Sequence, residues 1–401
     1  MDRVVITGIG PVSSIGIGAA AFESALRSGQ SGICGITSFD PSGFPRTQAG
    51  EVRGFAPGPI LRRLDPGGWG RSSLFAATAA RLAVRDAGLR IDQVEPHRVA
   101  VVVGTTSGES TVIEEIGYRI VANGFGSLPR RLAEQLPAGR LAAAVSEELA
   151  VTGESVTLAT ACAASNYALG YGYDLVVNGD ADVVLAGGAD SVCRWAHAGF
   201  VRLGAVAERA CAPFDRDRSG MITAEGGAML VLESADLAAA RQAVPYAEVL
   251  GYGLNCDARH MVSPDARTIA ECMRLAHRNA GIRAGDVDYV CAHGTGTPAN
   301  DATEAEALLA AFGGRVPPVS SIKSMLGHTM GAASAFGAMA SALAIARGFL
   351  PPTINWRTRD PELAWLDPIP NEARPARVRV AQNNGFAFGG NNAIVLLGAA
   401  G

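Results

Sequence analysis

Arg81-Leu-Ala-Val-Arg85-Asp-Ala-Gly88-Leu89 returns 193 residues later as Arg274-Leu-Ala-His-Arg278-Asn-Ala-Gly281-Ile282. Each copy reads as the last turns of an amphipathic helix stopped by a glycine, because the residue past a helix C-cap takes a left-handed conformation that glycine adopts most easily. An apolar strand follows each copy, over 99–104 and over 287–292. Before them stand Val4-Val-Ile-Thr-Gly8-Ile-Gly10 and Ala247-Glu-Val-Leu-Gly251-Tyr-Gly253. After them, Val156-Thr-Leu-Ala-Thr160 matches Val319-Ser-Ser-Ile322, each running into a small-residue helix, and the halves close on apolar strands at 228–232 and 393–397. Two copies of about 200 residues suit a duplicated domain better than a solenoid. Strands alternating with helices predict α/β layers, and Val99-Ala-Val-Val-Val103, with no polar alternation, predicts burial on both faces. The expected organisation is two similar α/β halves, 1–245 and 246–401, meeting near 234–246, where 235–243 is predicted as a connecting helix.

Over 401 residues the chain is 48% hydrophobic and 18% charged with a net charge of −4, the composition of a soluble globular protein with ample core. Seven cysteines, without regular spacing or a CxxC pair, make neither a disulfide framework nor a metal site and fit a reducing cytoplasm. The N-terminus enters Val4-Val5-Ile6 at once, without the basic region and cleavage site of a signal peptide. The Ala- and Gly-rich stretch 331–346 falls short of the roughly 20 residues that span a bilayer and predicts a buried helix, not a membrane segment. Basic residues do not gather in aromatic-flanked blocks, so nothing indicates nucleic acid.

The chemistry centres on Cys162, where a β-branched run gives way to small residues and then to a helix-like stretch ending near Asn178. A strand turning tightly into a helix places the sulfur at the helix N-terminus, where free N–H groups and the macrodipole favour a thiolate. His293 and His328 stand at strand-to-loop transitions of the second half, His293 opening a glycine-bearing loop that permits close backbone approach to a ligand. The duplication sets Lys323 against Cys162 and Gly331 against Gly170, both 161 residues on. Equivalent corners of two pseudo-symmetric halves are expected to face one cleft.

Together, Thr160-Ala-Cys162-Ala-Ala-Ser165, His293-Gly-Thr-Gly-Thr-Pro298 and Lys323-Ser-Met-Leu-Gly-His328-Thr-Met-Gly331-Ala-Ala333 resemble the motifs of the β-ketoacyl-acyl carrier protein synthases. Pro213-Phe-Asp-Arg-Asp-Arg218-Ser-Gly220, Phe386-Ala-Phe-Gly-Gly390 and the Val4 start extend the resemblance over essentially the whole chain. It implies the thiolase fold, two duplicated α/β halves in a five-layer α-β-α-β-α arrangement. It also implies an acyltransferase that condenses an acyl chain held on Cys162 with malonyl-acyl carrier protein by decarboxylative Claisen chemistry.

Residue by residue, the resemblance makes Cys162 the nucleophile, with His293 and His328 handling the malonyl substrate and Lys323 beside them. Lys323 and Glu304 become a supporting ion pair, and Asp301 part of the same loop scaffold. The N–H groups of Cys162 and Phe388 become the oxyanion hole, and Phe200, Phe386 and Phe388 the acyl pocket and its gate. Ala387 departs from the family's glycine hinge, Ser334 from a common glycine, and Thr223-Ala-Glu225 from a Gly-Glu-Gly run. An acidic carrier protein asks for a basic docking surface, for which Arg62, Arg63, Arg202 and Arg71 are candidates. Neither a metal nor a dissociable cofactor is implied, since substrates arrive on the carrier's phosphopantetheine arm. A thiolase is disfavoured, for its second cysteine comes late in the chain, where Phe386 to Asn392 stand here, and His328 replaces the asparagine of initiating synthases. A single lysine, at 323, against many arginines suggests a GC-rich gene and leans toward type II polyketide or polyene biosynthesis, as the catalytic subunit of a dimer. Two alternatives remain: a self-sufficient homodimer elongating fatty acids, and a non-catalytic chain-length-factor-like subunit, which Cys162 argues against. The segment 108–140 is expected near the dimer interface.

Overall fold

A computed structural model of the chain describes residues 3–401. The first half contributes β1 (Val4–Ser13), β2 (Val99–Gly104), β3 (Ser155–Leu158), β4 (Val183–Asp190) and β5 (Gly226–Ser234). The second contributes β6 (Ala247–Cys256), β7 (Tyr289–Cys291), β8 (Val319–Ser320), β9 (Val380–Phe386) and β10 (Asn391–Gly398). The strands lie in the orders β3-β2-β4-β5-β1 and β8-β7-β9-β10-β6, so every strand has its counterpart five strands on. Antiparallel pairing of β1 with β6 at Val4–Val249, Val5–Glu248 and Ile6–Ala247 joins both orders into one sheet. In each half the two pairings nearest that seam are antiparallel and the two outer ones parallel. β2 is buried throughout, as its unbroken apolar run predicts.

Six helices repeat with an offset of three: α1 (Arg71–Asp86), α2 (Arg140–Leu149), α3 (Ala164–Val177), α4 (Ala266–Asn279), α5 (Pro298–Ala311) and α6 (Ala333–Arg347). α3 packs on β2 and β4, α6 on β7 and β9, and the two pack on each other, forming the central layer. α1 and α2 cover the outer face of the first half, α4 and α5 that of the second, which completes five layers. The quoted repeat marks the ends of α1 and α4. Gly88 (φ 59°) and Gly281 (φ 65°) are left-handed, and Leu89 and Ile282 donate back to Val84 and His277 at 3.1 and 3.0 Å. The connecting helix exists but is shorter than expected, Ala235–Ala240, started by Ser234 accepting from the Leu237 N–H. Met330–Arg347, with mean hydropathy 1.2, is long and apolar enough to cross a membrane, but 83% of it lies inside the protein.

The register of the second half differs from the sequence match. Three-residue 3₁₀ turns, Ala161–Ala163 and Met330–Ala332, precede α3 and α6, and each begins on a left-handed non-glycine residue, Ala161 (φ 50°) and Met330 (φ 53°). Cys162 therefore corresponds to Gly331, not to Lys323, and Gly331 does not correspond to Gly170. Residues 159–160 link strand to turn in the first half, whereas 321–329 do so in the second. Lys323 and His328 lie in that longer link, which has no counterpart. The mismatch arose because Ala/Gly-rich helices can be shifted along one another without spoiling their pattern of small residues.

Gly331 also explains why one half alone carries a side chain at this turn position. A Cβ there would stand 2.5 Å from the Thr105 carbonyl carbon and 2.6 Å from the Thr106 nitrogen, both backbone atoms. Gly331→Ala is expected to lower stability by about 1–3 kcal/mol through overpacking. Gly117→Ala, in a helix position with open space around it, should raise it by about 0.5–1 kcal/mol. Urea midpoints of the two variants check both signs.

Candidate active site

Cys162 sits in the turn between β3 and α3, its side chain at the head of the central helix layer and 6% exposed. The backbone N–H groups of Cys162 and Phe388 both bear on its sulfur. They and the Lys323 charge pull the thiol down, but burial outweighs them and, with Asp190 adding to it, pushes the thiol up to about 12. The thiolate expected at the helix N-terminus is thus corrected: in a closed site, desolvation of the sulfur exceeds the stabilisation from the helix end.

Glu304, on α5, accepts from the N–H groups of His293 and Gly294 at 2.8 and 2.7 Å, and from Asn384 Nδ2 at 2.9 Å. Lys323 Nζ donates to the His293 carbonyl at 2.6 Å. The expected Lys323–Glu304 ion pair is therefore replaced by a clamp: cation and carboxylate grip opposite ends of the same residue's backbone instead of each other. Asp301 braces the loop beyond, accepting from the N–H groups of Phe214 and Gly296 at 2.8 and 3.1 Å. His328 Nδ1 accepts from the Met330 N–H at 3.2 Å, which leaves the ring proton on Nε2. The two imidazoles stand 5.5 Å apart, centroid to centroid, at 84°. Burial first, and then the Lys323 charge, hold both well below the usual histidine range, so each is neutral. Burial lowers Lys323 as well.

Cys162, His293 and His328 line one cavity of about 330 Å³, together with Phe200, Phe386 and Phe388. Phe388 packs on Phe200 at 6.0 Å and Phe386 on His293 at 5.5 Å. Ala387 is not among the positive-φ residues, so alanine fits the hinge in this conformation without strain. Ser334 is used as a serine: its Oγ accepts from the Asn166 N–H at 3.0 Å. Of the basic candidates, Arg62, Arg63 and Arg202 are exposed, and Arg202 ends the helix Arg194–Arg202 that carries Phe200 to the cavity. Arg71, the fourth candidate, is engaged within the protein. Its guanidinium makes a two-point pair with Glu225, with 2.9 Å from Nε, and lies over Phe75 at 4.7 Å. Among the described residues Arg71 is the one ion-pair partner of buried Glu225.

Asp190 and Asn384 belong to this site and were not found from the sequence, since each acts on a residue far along the chain through a short polar side chain with no motif around it. Among the described residues no cluster of three or more His, Cys, Asp or Glu could hold a metal ion. Because Cys162 rests as a thiol, its alkylation by iodoacetamide should climb steadily from pH 7 to pH 10 without a plateau. Lys323→Met, which removes the cation that pulls the thiol down, should slow alkylation at every pH in that range. A plateau near neutral pH would mean a stable thiolate.

Two family models match the chain, the N-terminal domain of β-ketoacyl synthase over residues 1–238 and the C-terminal domain over 246–357. The 3-oxoacyl-[acyl-carrier-protein] synthase 2 of Coxiella burnetii is 37% identical over 98% of each chain. Among solved structures, the ishigamide ketosynthase/chain length factor is 47% identical with a TM-score of 0.98 over all of both chains. A type II polyketide synthase acyl-carrier protein in complex with its ketosynthase bound to the hexaketide matches at 30% identity, TM-score 0.92, again over all of both chains. With the duplicated five-layer fold and a cysteine and two neutral histidines lining one cavity, these matches make the chain a member of the β-ketoacyl synthase family, acyltransferases that condense acyl chains with malonyl-acyl carrier protein.

Proposed function

We propose that this chain is the catalytic subunit of a type II polyketide or polyene synthase in the cytoplasm, with Cys162, His293 and His328 as its catalytic residues. In loading, the Cys162 sulfur attacks the thioester of an acyl carrier protein; a neutral imidazole takes the thiol proton and passes it to the departing carrier sulfur. The N–H groups of Cys162 and Phe388, which already bear on the sulfur, receive the oxyanion. In condensation, malonyl carrier protein loses CO₂, and the electrons left behind form an enolate whose oxygen accepts N–H donation from His293 and His328. Its carbon attacks the acyl-Cys162 carbonyl, a C–C bond forms, the C–S bond breaks and Cys162 is released. The single observation that carries this reading is His328 with Nδ1 occupied by the Met330 N–H, so that a neutral ring keeps a donor at Nε2 on the cavity shared with Cys162. Lys323 favours that state by its charge, since a protonated neighbour would cost Coulomb energy. No metal or dissociable cofactor enters these steps; the carrier's phosphopantetheine arm brings both substrates.

A heterodimer with a chain-length-factor-like subunit is favoured over a homodimer by the 47% identity to a ketosynthase/chain length factor. The helix Ser110–Asn123 and the turn after it supply an apolar face for that partner, with Tyr118 69%, Val121 88% and Phe125 78% exposed. Exposed Arg62, Arg63 and Arg202 serve the acidic carrier protein.

Mass spectrometry of carrier-bound products tests the reaction and the subunit role together. Chain plus partner should extend the acyl group by two carbons, whereas the chain alone should stop at acylated Cys162; extension by the chain alone supports the homodimer, and no acylation of Cys162 defeats the mechanism. His328→Ala should keep loading and lower condensation by about 10²–10³-fold. Val121→Glu should break co-purification with the partner while leaving Cys162 loading in place.

A further inference from the structure

We infer that Asp190 is a positioning residue for His328: its carboxylate holds the turn whose backbone sets which nitrogen of that imidazole carries the proton. This rests on the reading of His328 as a donor to the enolate oxygen.

Asp190 ends β4 and is 1% exposed. It accepts from Thr105 Oγ1 at 2.7 Å, from the N–H groups of Thr106 and Ser107 at 2.7 and 3.3 Å, and from the Gly331 N–H at 2.6 Å. All four donors are neutral, so a buried anion is kept here with no cationic partner among the described residues, an arrangement that folding alone does not favour. Burial pushes its carboxyl up to about 6, which leaves it ionised at neutral pH.

What the carboxylate holds is the turn Met330–Ala332. Met330 has φ 53°, a conformation that side-chain-bearing residues rarely adopt, and it persists only where its surroundings hold it. The bond from Gly331 N–H to Asp190 is the nearest such hold, one residue on. The Met330 N–H is the group that occupies His328 Nδ1. If Met330 relaxes to an ordinary φ, that donor turns away and the ring can place its proton on Nδ1, where it no longer serves the cavity. The anchor itself is rigid: Thr105 Oγ1 also accepts from the Gly108 N–H at 2.9 Å, closing the 105–108 loop around the carboxylate.

The test is the ¹⁵N spectrum of the histidine rings in full-length wild type and Asp190→Asn, with His328 assigned by loss of its signal in His328→Ala. Wild type should show Nδ1 unprotonated and Nε2 protonated. Asp190→Asn should show a mixture or reversal, with Cys162 loading within about threefold of wild type and condensation kcat lowered about ten- to hundredfold at little changed KM for malonyl carrier protein. An unchanged tautomer in folded Asp190→Asn, or equal losses of loading and condensation, overturns the inference. If Asp190→Asn does not fold, Thr105→Val, which removes one donor to the carboxylate, takes its place under the same two outcomes. The spectrum needs no turnover: wild type that neither loads nor condenses defeats the reaction, while the tautomer still decides the role of Asp190.

Discussion

Gly331 is held from both sides by the other half of the molecule: its N–H donates to Asp190 and its carbonyl accepts from Ser165 Oγ. Cys162 stands on one half and both histidines on the other, so their relative placement depends on this seam. α3 and α6 meet there on alanines and glycines, which pack closely but resist sliding poorly. Directional bonds supply the register. Asn383 Nδ2 donates to Asn166 Oδ1 at 2.8 Å, and Asn166 Nδ2 reaches the carbonyls of Asn383 and Ala393 at 3.2 and 3.0 Å. Buried amides of this kind tolerate little displacement, because a shifted pair leaves two groups without water and without a partner.

Desolvation governs the electrostatics of the cavity. It raises the thiol and lowers the imidazoles, so Cys162, His293 and His328 rest neutral beside one lysine. The lysine reinforces the neutral histidines and opposes the neutral thiol. A neutral imidazole can both accept the thiol proton and donate an N–H, whereas an imidazolium can only donate. In the proposed mechanism, burial thus equips the same pair of rings for both half-reactions.

Scaffolding around His293 follows a similar economy. Glu304 and Lys323 hold opposite ends of one residue's backbone, so the loop is fixed without either side chain entering the cavity's reactive space. Asp301 fixes the following turn through Phe214 and Gly296. Charged residues here act on the backbone, and the backbone presents the rings.

Several features were legible in the chain itself. The repeat, four of the five strand correspondences, the glycine-stopped helices and the burial of 331–346 follow from periodicity and from duplication, which leaves its order written twice. Cys162 and His293 follow from local motifs just past the ends of strands, and His328 from the local run Lys323 to Ala333, because each pattern is complete within a few residues of chain. Tertiary structure alone decided the rest. It set Gly331 opposite Cys162, turned Arg71 inward to Glu225, separated Lys323 from Glu304 into a clamp, and brought Asp190 to a turn 141 residues away. It also decided that Cys162 rests protonated. Proton affinities and polar partners depend on what surrounds a group after folding, and a sequence records neighbours along the chain, not the removal of water around them.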